Sequence, residues 1–266
     1  GLLAYAKSKG KKISELTQAE KAKFYSEWKK KWTTSAQPIP TLPDEVKIEN
    51  VIGLLDSLSN VPIGIDKNTL GVYLYDFRKS FMNVISAQNV ESTVQFVFPL
   101  IKQIAQKLLY VNIGFFDAEE IIQDNRETIK ESYQKFVENA KAGNDSCLGV
   151  IIGIDKFLSL IEVDEYTFSG DLTEMSENPN CNFIIIDSAA KLKNHAFDGW
   201  YQNNIHDDSG IWVGNGINDQ YTINMSGINR DLVNNCGNNF GYVISDGEPT
   251  MIKLLGASSK EEKGDK

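Results

Sequence analysis

The chain has 266 residues, 41% hydrophobic and 24% charged, with a formal net charge of −9. That length holds one large α/β domain with an appendage, or two small domains, and no run approaches the roughly 18 apolar residues that span a bilayer. An acidic body does not attract a phosphate backbone, so nucleic acid is an unlikely partner of the main domain.

The charge is unevenly spread: residues 1–36 hold nine lysines against three glutamates, which leaves the rest of the chain more acidic than the total. The chain opens at Gly1 without a secretory signal pattern and is expected to be a piece of a longer polypeptide. Thr17-Gln18-Ala19-Glu20 forms a capping box, which predicts a helix to about Trp32. Tyr25, Trp28 and Trp32 then fall on one apolar stripe, with lysines opposite. The basic face reads as solvated, with acidic lipid or an acidic neighbour as the alternative contact. Pro38, Pro40 and Pro43 make a stiff, extended spacer after it. Residues 1–37 are thus expected to be a basic helical arm and linker. Residues 38–256 form the main domain, and 257–266 a charged, disordered tail.

Within the main domain, strand candidates at 72–77, 83–87, 109–115, 150–155, 183–187, 211–213 and 242–245 alternate with helical patterns at 92–108 and 126–142. Ile129, Tyr133, Phe136 and Val137 recur at helical spacing in the second helix. Val150-Ile151-Ile152 and Phe183-Ile184-Ile185-Ile186 are continuous rather than alternating, as in strands covered on both faces. This order predicts an α/β fold: a mostly parallel sheet with helices on both sides, whose ligands sit at the carboxyl ends of the strands.

Two strand ends carry the fragments of a nucleotide site. Ser86, Ala87, Gln88, Asn89, Val90, Glu91, Ser92 and Thr93 occupy the strand–loop–helix setting of a Walker A loop, G-x-x-x-x-G-K-[ST]. Ser92-Thr93 stands where a hydroxyl would hold magnesium, but the glycines are missing and the loop is about one residue short. Glu91 stands where the phosphate-binding lysine belongs. At about 4 Å and an effective dielectric near 20, that exchange turns roughly 4 kcal/mol of attraction into a similar repulsion. The second half of such a site is a strand ending in Asp-Glu; here Asp155 is followed by Lys156, which cannot act as a carboxylate base.

Longer stretches resemble a known family in order. Val61-Pro62-Ile63-Gly64-Ile65-Asp66 is similar to the "lPiGld" run before the first strand of FtsK/SpoIIIE-type ATPase domains. Ile154-Asp155-Lys156-Phe157 resembles that family's Walker B run with its Glu replaced. Gly241-Tyr242-Val243-Ile244 with Asp246-Gly247 resembles the closing hairpin. The resemblance, over about residues 38–256, implies a P-loop NTPase fold of the RecA/FtsK kind. A degenerate domain before a short charged tail looks like the third, C-terminal ATPase domain of EssC/EccC coupling proteins of type VII secretion. What this implies is a membrane-anchored parent on the cytoplasmic side of the bacterial membrane, oligomeric in its complex. It further implies small helical WXG-type secreted proteins and the chain's other ATPase domains as partners. It implies no nucleotide or other cofactor in this domain, ATP and magnesium being left to its neighbours. The alternatives are a weak Mg-ATP hydrolase completed by another subunit, and a DNA translocase module.

Other residues weigh less. Phe197, Trp200 and Tyr201 are either a partner-binding edge or, the favoured reading, core flanking a loop. His206 with Asp207 and Asp208 reads as a turn rather than a metal site, and His195 is the only other histidine. Asp155 and Asp187 are expected side by side on adjacent strand ends. Cys147, Cys181 and Cys236 make no CxxC and read as buried thiols in a reducing cytoplasm, with no metal site.

Overall fold

The computed structural model describes residues 2–33, 41–124, 128–141, 143, 145–226, 232, 235–237 and 239–256, the side chains of 28, 29 and 31–33 excepted. The chain divides into two compact units, 1–41 and 42–266.

The first unit holds α1 (Leu2–Ser8) and α2 (Gln18–Thr33). The capping box at the start of α2 is formed: Thr17 N–H donates to Glu20 Oε2 at 2.8 Å, and Glu20 N–H donates to Thr17 Oγ1 at 3.2 Å. Lys11 reaches the same carboxylate at 2.9 Å and, with the Thr17 N–H, brings the Glu20 pKa down to about 2. The rings of Tyr5 and Phe24 pack 5.2 Å apart, while Tyr25 is exposed. The Trp28 and Trp32 side chains, the Pro38–Pro40 part of the spacer and the charged tail lie outside the described residues.

In the second unit α3 (Ile48–Val51) precedes β1 (Val61–Asp66), β2 (Val72–Tyr75) and β3 (Met82–Ala87). A 3-10 turn at Val90–Thr93 then leads into α4 (Val94–Lys107). Next come β4 (Val111–Asp117), α5 (Ile129–Lys141) and β5 (Ser146–Ile152). They are followed by α6 (Ile154–Ile161), α7 (Glu165–Ser176) and β6 (Cys181–Ser188). The chain continues through α8 (Ala189–Asn194), α9 (Gly199–Asn204) and β7 (Gly210–Val213), and ends on β8 (Phe240–Ser245) and β9 (Glu248–Leu254). No helix among the described residues is long and apolar enough to cross a membrane.

All nine strands form one sheet in the order β2-β1-β9-β8-β7-β3-β6-β5-β4. The half from β7 to β4 is parallel, and the half from β2 to β7 is antiparallel. Side-chain alternation splits the core between the two faces. Ile85, Ile152, Ile184 and Ile186 join the α4 stripe of Phe96, Val97, Leu100 and Ile104. Val84, Ile151, Phe183 and Ile185 face Tyr133, Phe136 and Val137 of α5, with Phe157, Phe168 and Trp200.

Three sequence expectations need correcting. Residues 61–66 do not precede the first strand; they are β1. Pro62 is tolerated because the register slips between Pro62 and Gly64, and Gly64 is required because a Cβ there would lie 2.2 Å from the Lys253 carbonyl oxygen. The strand expected at 150–155 stops at Ile152, where Gly153 turns left-handed at φ +79° and α6 begins. Asp155 therefore sits in the first helical turn and not on a strand end. β9 stood outside the strand candidates, although it is the second arm of the hairpin that the resemblance implied, and it pairs with both β8 and β1. The hairpin turn at Asp246-Gly247 places both residues at positive φ, 51° and 79°, as a tight two-residue connection demands.

Candidate functional site

Leaving β3, the chain crosses to the sheet edge at β4 and returns through β5 to β6, beside β3. It then passes to β7 on the other side of β3. The carboxyl end of β3 is therefore the point where strand order reverses, the place where open α/β sheets bind ligands. Two clefts of about 430 and 460 Å³ open there and share Gln88.

The loop from β3 to α4 closes on itself. The Ser86 hydroxyl is buried and donates to the Asp187 carbonyl at 3.0 Å. Asn89 Oδ1 accepts the Ser92 N–H at 3.0 Å and the Ser92 hydroxyl at 2.6 Å. Thr93, also buried, donates its hydroxyl to the Val90 carbonyl at 2.7 Å. Gln88 lies over Gly216, where a Cβ would come within 2.2 Å of its amide nitrogen. Ala87 and Val90 pack into the core, and Glu91 is exposed. A phosphate at a helix N-terminus needs free N–H groups and positive charge. Here a side-chain oxygen already takes the Ser92 N–H, both hydroxyls are committed, and residues 86–93 include no cation.

The loops after β4, β5 and β6 are tied together by charge. Glu119, just past β4 and nearly buried, bridges Lys156 of α6 and Lys191 of α8, the latter at 2.6 Å. Lys191 also lies 3.9 Å from Asp187 at the end of β6. Asp187 is fully buried and accepts N–H bonds from Ile154 at 2.9 Å and Ser188 at 2.7 Å, so it caps α6 from a neighbouring strand. Gly153 completes the fit, since a Cβ there would lie 2.4 Å from Glu119 Cγ. Burial alone would raise the Glu119 pKa, but the two ammonium groups outweigh it and hold the carboxyl below its usual range. Burial wins at Asp187 and raises its pKa, while the hydrogen bond to Glu119 raises that of Lys191.

Asp155 and Asp187 are not paired. Asp155, half-exposed, meets His195 Nε2 at 2.9 Å, and His195 Nδ1 meets Asp198 at 2.5 Å. Trp200 and Tyr201 are buried in the core, and Phe197 is 88% exposed. Asp207 and Asp208 lie in a turn, where the Asp207 carboxylate takes the Asn224 amide at 2.8 Å. Among the described residues no cluster of three or more His, Cys, Asp and Glu side chains could hold a metal ion. Glu119 and Lys191 went unnoticed in the sequence; the one signal was Lys156 itself, a cation at a strand end in need of a carboxylate.

A mixed sheet, parallel from β7 to β4, whose strand–loop–helix stands at the reversal of strand order is an architecture that P-loop ATPase domains share with other open α/β folds. Comparison with solved structures agrees. The cytoplasmic domain of EssC superposes with a TM-score of 0.63 at 12% identity, over 88% of this chain and 52% of that one. EssC (ATPases 2 and 3) from Geobacillus thermodenitrificans matches with a TM-score of 0.63 at 14% identity, over 93% and 51%. Thermomonospora curvata EccC (ATPases 2 and 3), in complex with a signal sequence peptide, matches with 0.58 at 12% identity, over 84% and 45%. At such identities the likeness is one of fold, and the chain spans about half the length of these structures. No family model and no curated protein sequence matches it.

Proposed function

We propose that this chain is a pseudo-ATPase domain of a type VII secretion motor, a module that binds and couples without turning over nucleotide. One observation carries the reading: the groups of the β3–α4 loop that would cradle a phosphate are taken by the chain itself, although clefts open beside them. Asn89 takes the N–H that a phosphate would need, and Glu91 repels it. Lys156 and Lys191 both engage Glu119, and Lys191 also lies near Asp187, so neither lysine of that network is unpaired. Mg-ATP does not fit these residues, so no hydrolytic step is assigned to them.

In this role the domain recognises secreted substrates, small helical proteins of the WXG type. It passes their occupancy through packed interfaces to active ATPase domains of the same membrane-anchored parent, on the cytoplasmic side and in an oligomer. It stands third in that parent. The fold shared with EssC and EccC supports this placement, as does one such structure carrying a signal sequence peptide. The test is calorimetric titration with Mg-ATP: no saturable heat is expected up to about 1 mM, a weak-binding limit of about −4 kcal/mol. Saturable micromolar binding with turnover would instead establish an enzyme completed by another subunit.

A further inference from the structure

We propose that the junction of α7 and α9 is a docking surface for a cationic amphipathic helix of a partner protein. Tyr166 and Phe197 are 87% and 88% exposed, more than any other large aromatic residue described. They flank one hydrogen bond, from the Gly199 N–H to Glu165 Oε1 at 3.0 Å, which holds the starts of the two helices together. Isolated exposed apolar residues are ordinary; two large exposed aromatics at the joined starts of two helices have the anatomy of an interface anchor.

The frame is rigid. Phe197 stands on a turn closed twice, by the Asp198 N–H to the His195 carbonyl at 2.9 Å and by His195 Nδ1 to the Asp198 carboxylate at 2.5 Å. His195 packs on Trp200, ring centroids 5.3 Å apart, and Trp200 packs on Phe168 beneath at 5.7 Å. The turn therefore fixes the Phe197 backbone before binding, and only its side-chain rotamers remain to be ordered.

Charge decides the partner. Residues 155–208 contain eleven carboxylates and three lysines, two of them committed to Glu119; Lys130 of α5 pairs with Glu162 and Lys141 with Asp171 and Glu174, and carboxylates still outnumber cations. Asp164, Glu165 and Asp198 surround the aromatic pair, and α7 has no basic residue. An apolar stripe flanked by lysine or arginine complements this face in both shape and sign, and an acidic helix is repelled.

This surface deepens the reading of the domain as a binding module, and its test is separate from nucleotide. The full chain is titrated with a synthetic helical leucine–lysine peptide and with its leucine–glutamate counterpart. The expected result is saturable binding of the lysine peptide only, weakening as salt rises, and lost about tenfold or more in Tyr166→Ser/Phe197→Ser. Both side chains are exposed, so thermal melting of that variant should match the parent and rule out misfolding. Equal affinity in parent and variant, or equal binding of both peptides, would overturn the proposal. Sedimentation showing that the parent self-associates through Phe197 would overturn it too, by assigning the face to a second copy. A Mg-ATP titration does not touch this surface, so either proposal fails without the other.

Discussion

The loops leaving β3 and β5 stand at the same, carboxyl edge of the parallel strands but are closed in different ways. The β3 loop is closed locally: Ser92 bonds Asn89 and Thr93 bonds the Val90 carbonyl, all within five residues, and its one charged side chain, Glu91, is exposed. The β5 loop is closed from a distance. Asp187 caps it from 33 residues away, and Glu119 reaches Lys156 across 37. A site can therefore be stopped either by an exposed substitution of small energetic consequence or by a buried replacement on which the fold depends. Substitutions at the two loops should separate these cases.

The largest effect is expected at Asp187. Asp187→Ala strands two N–H groups in the core and removes the α6 cap. The expected loss is about 2–4 kcal/mol, several degrees in Tm for a unit of this size. A melt within a degree of the parent would show that the cap is dispensable.

Glu119→Gln comes next, at about 1–2 kcal/mol, because its lysine partners are partly exposed and solvent screens them. Its signature is in the pH dependence. The Glu119 carboxyl lies below its usual value in the folded state, so its contribution is complete above the unfolded value of about 4.5 and is lost as pH falls through the folded one. The raised Asp187 pKa acts in the opposite sense: its contribution is present below the unfolded value of 3.8 and is lost as pH rises through the folded one. Denaturant midpoints measured across the acid range should therefore fall less steeply in Glu119→Gln than in the parent. An unchanged slope would remove Glu119 from the account.

Asn89→Ala, on the local side of the comparison, removes a single cap and is expected to cost about 1 kcal/mol in chemical denaturation. A loss as large as that at Asp187 would erase the distinction between the loops.

The difference between the loops also explains how much could be read from sequence. Local order was legible: the capping box at Thr17 and Glu20, the α5 stripe, and the continuous apolar runs of β5 and β6; the hairpin at Asp246-Gly247 came only from the family resemblance. β1 and β9 escaped the strand candidates because Pro62, Gly64 and Pro249 look like loop chemistry unless the bulge is known and the β1–β9 ladder is seen to leave both prolines out. The end of β5 was misplaced because Ile154 continues an apolar run, and only the left-handed Gly153 stops it. Trp200 and Tyr201 could be placed only by packing, since an aromatic cluster before a polar loop fits core and surface alike. The Glu119 bridge could not be read at all. It joins three loops from three strand ends, and no spacing encodes that.

The smallest expected effect is the most direct test of the comparison. Glu91→Lys restores the charge that a triphosphate requires, at an exposed position where substitutions usually change stability by less than about 0.5 kcal/mol. It supplies no glycine to let the backbone wrap a phosphate, and it leaves Asn89 on the Ser92 N–H. At the same edge of the sheet, Glu119 still holds Lys156 and Lys191. The variant should therefore melt with the parent and show no saturable Mg-ATP binding up to about 1 mM. Micromolar affinity in Glu91→Lys would mean that charge alone had silenced the β3 loop, and that its internal hydrogen bonds give way to nucleotide as readily as water does.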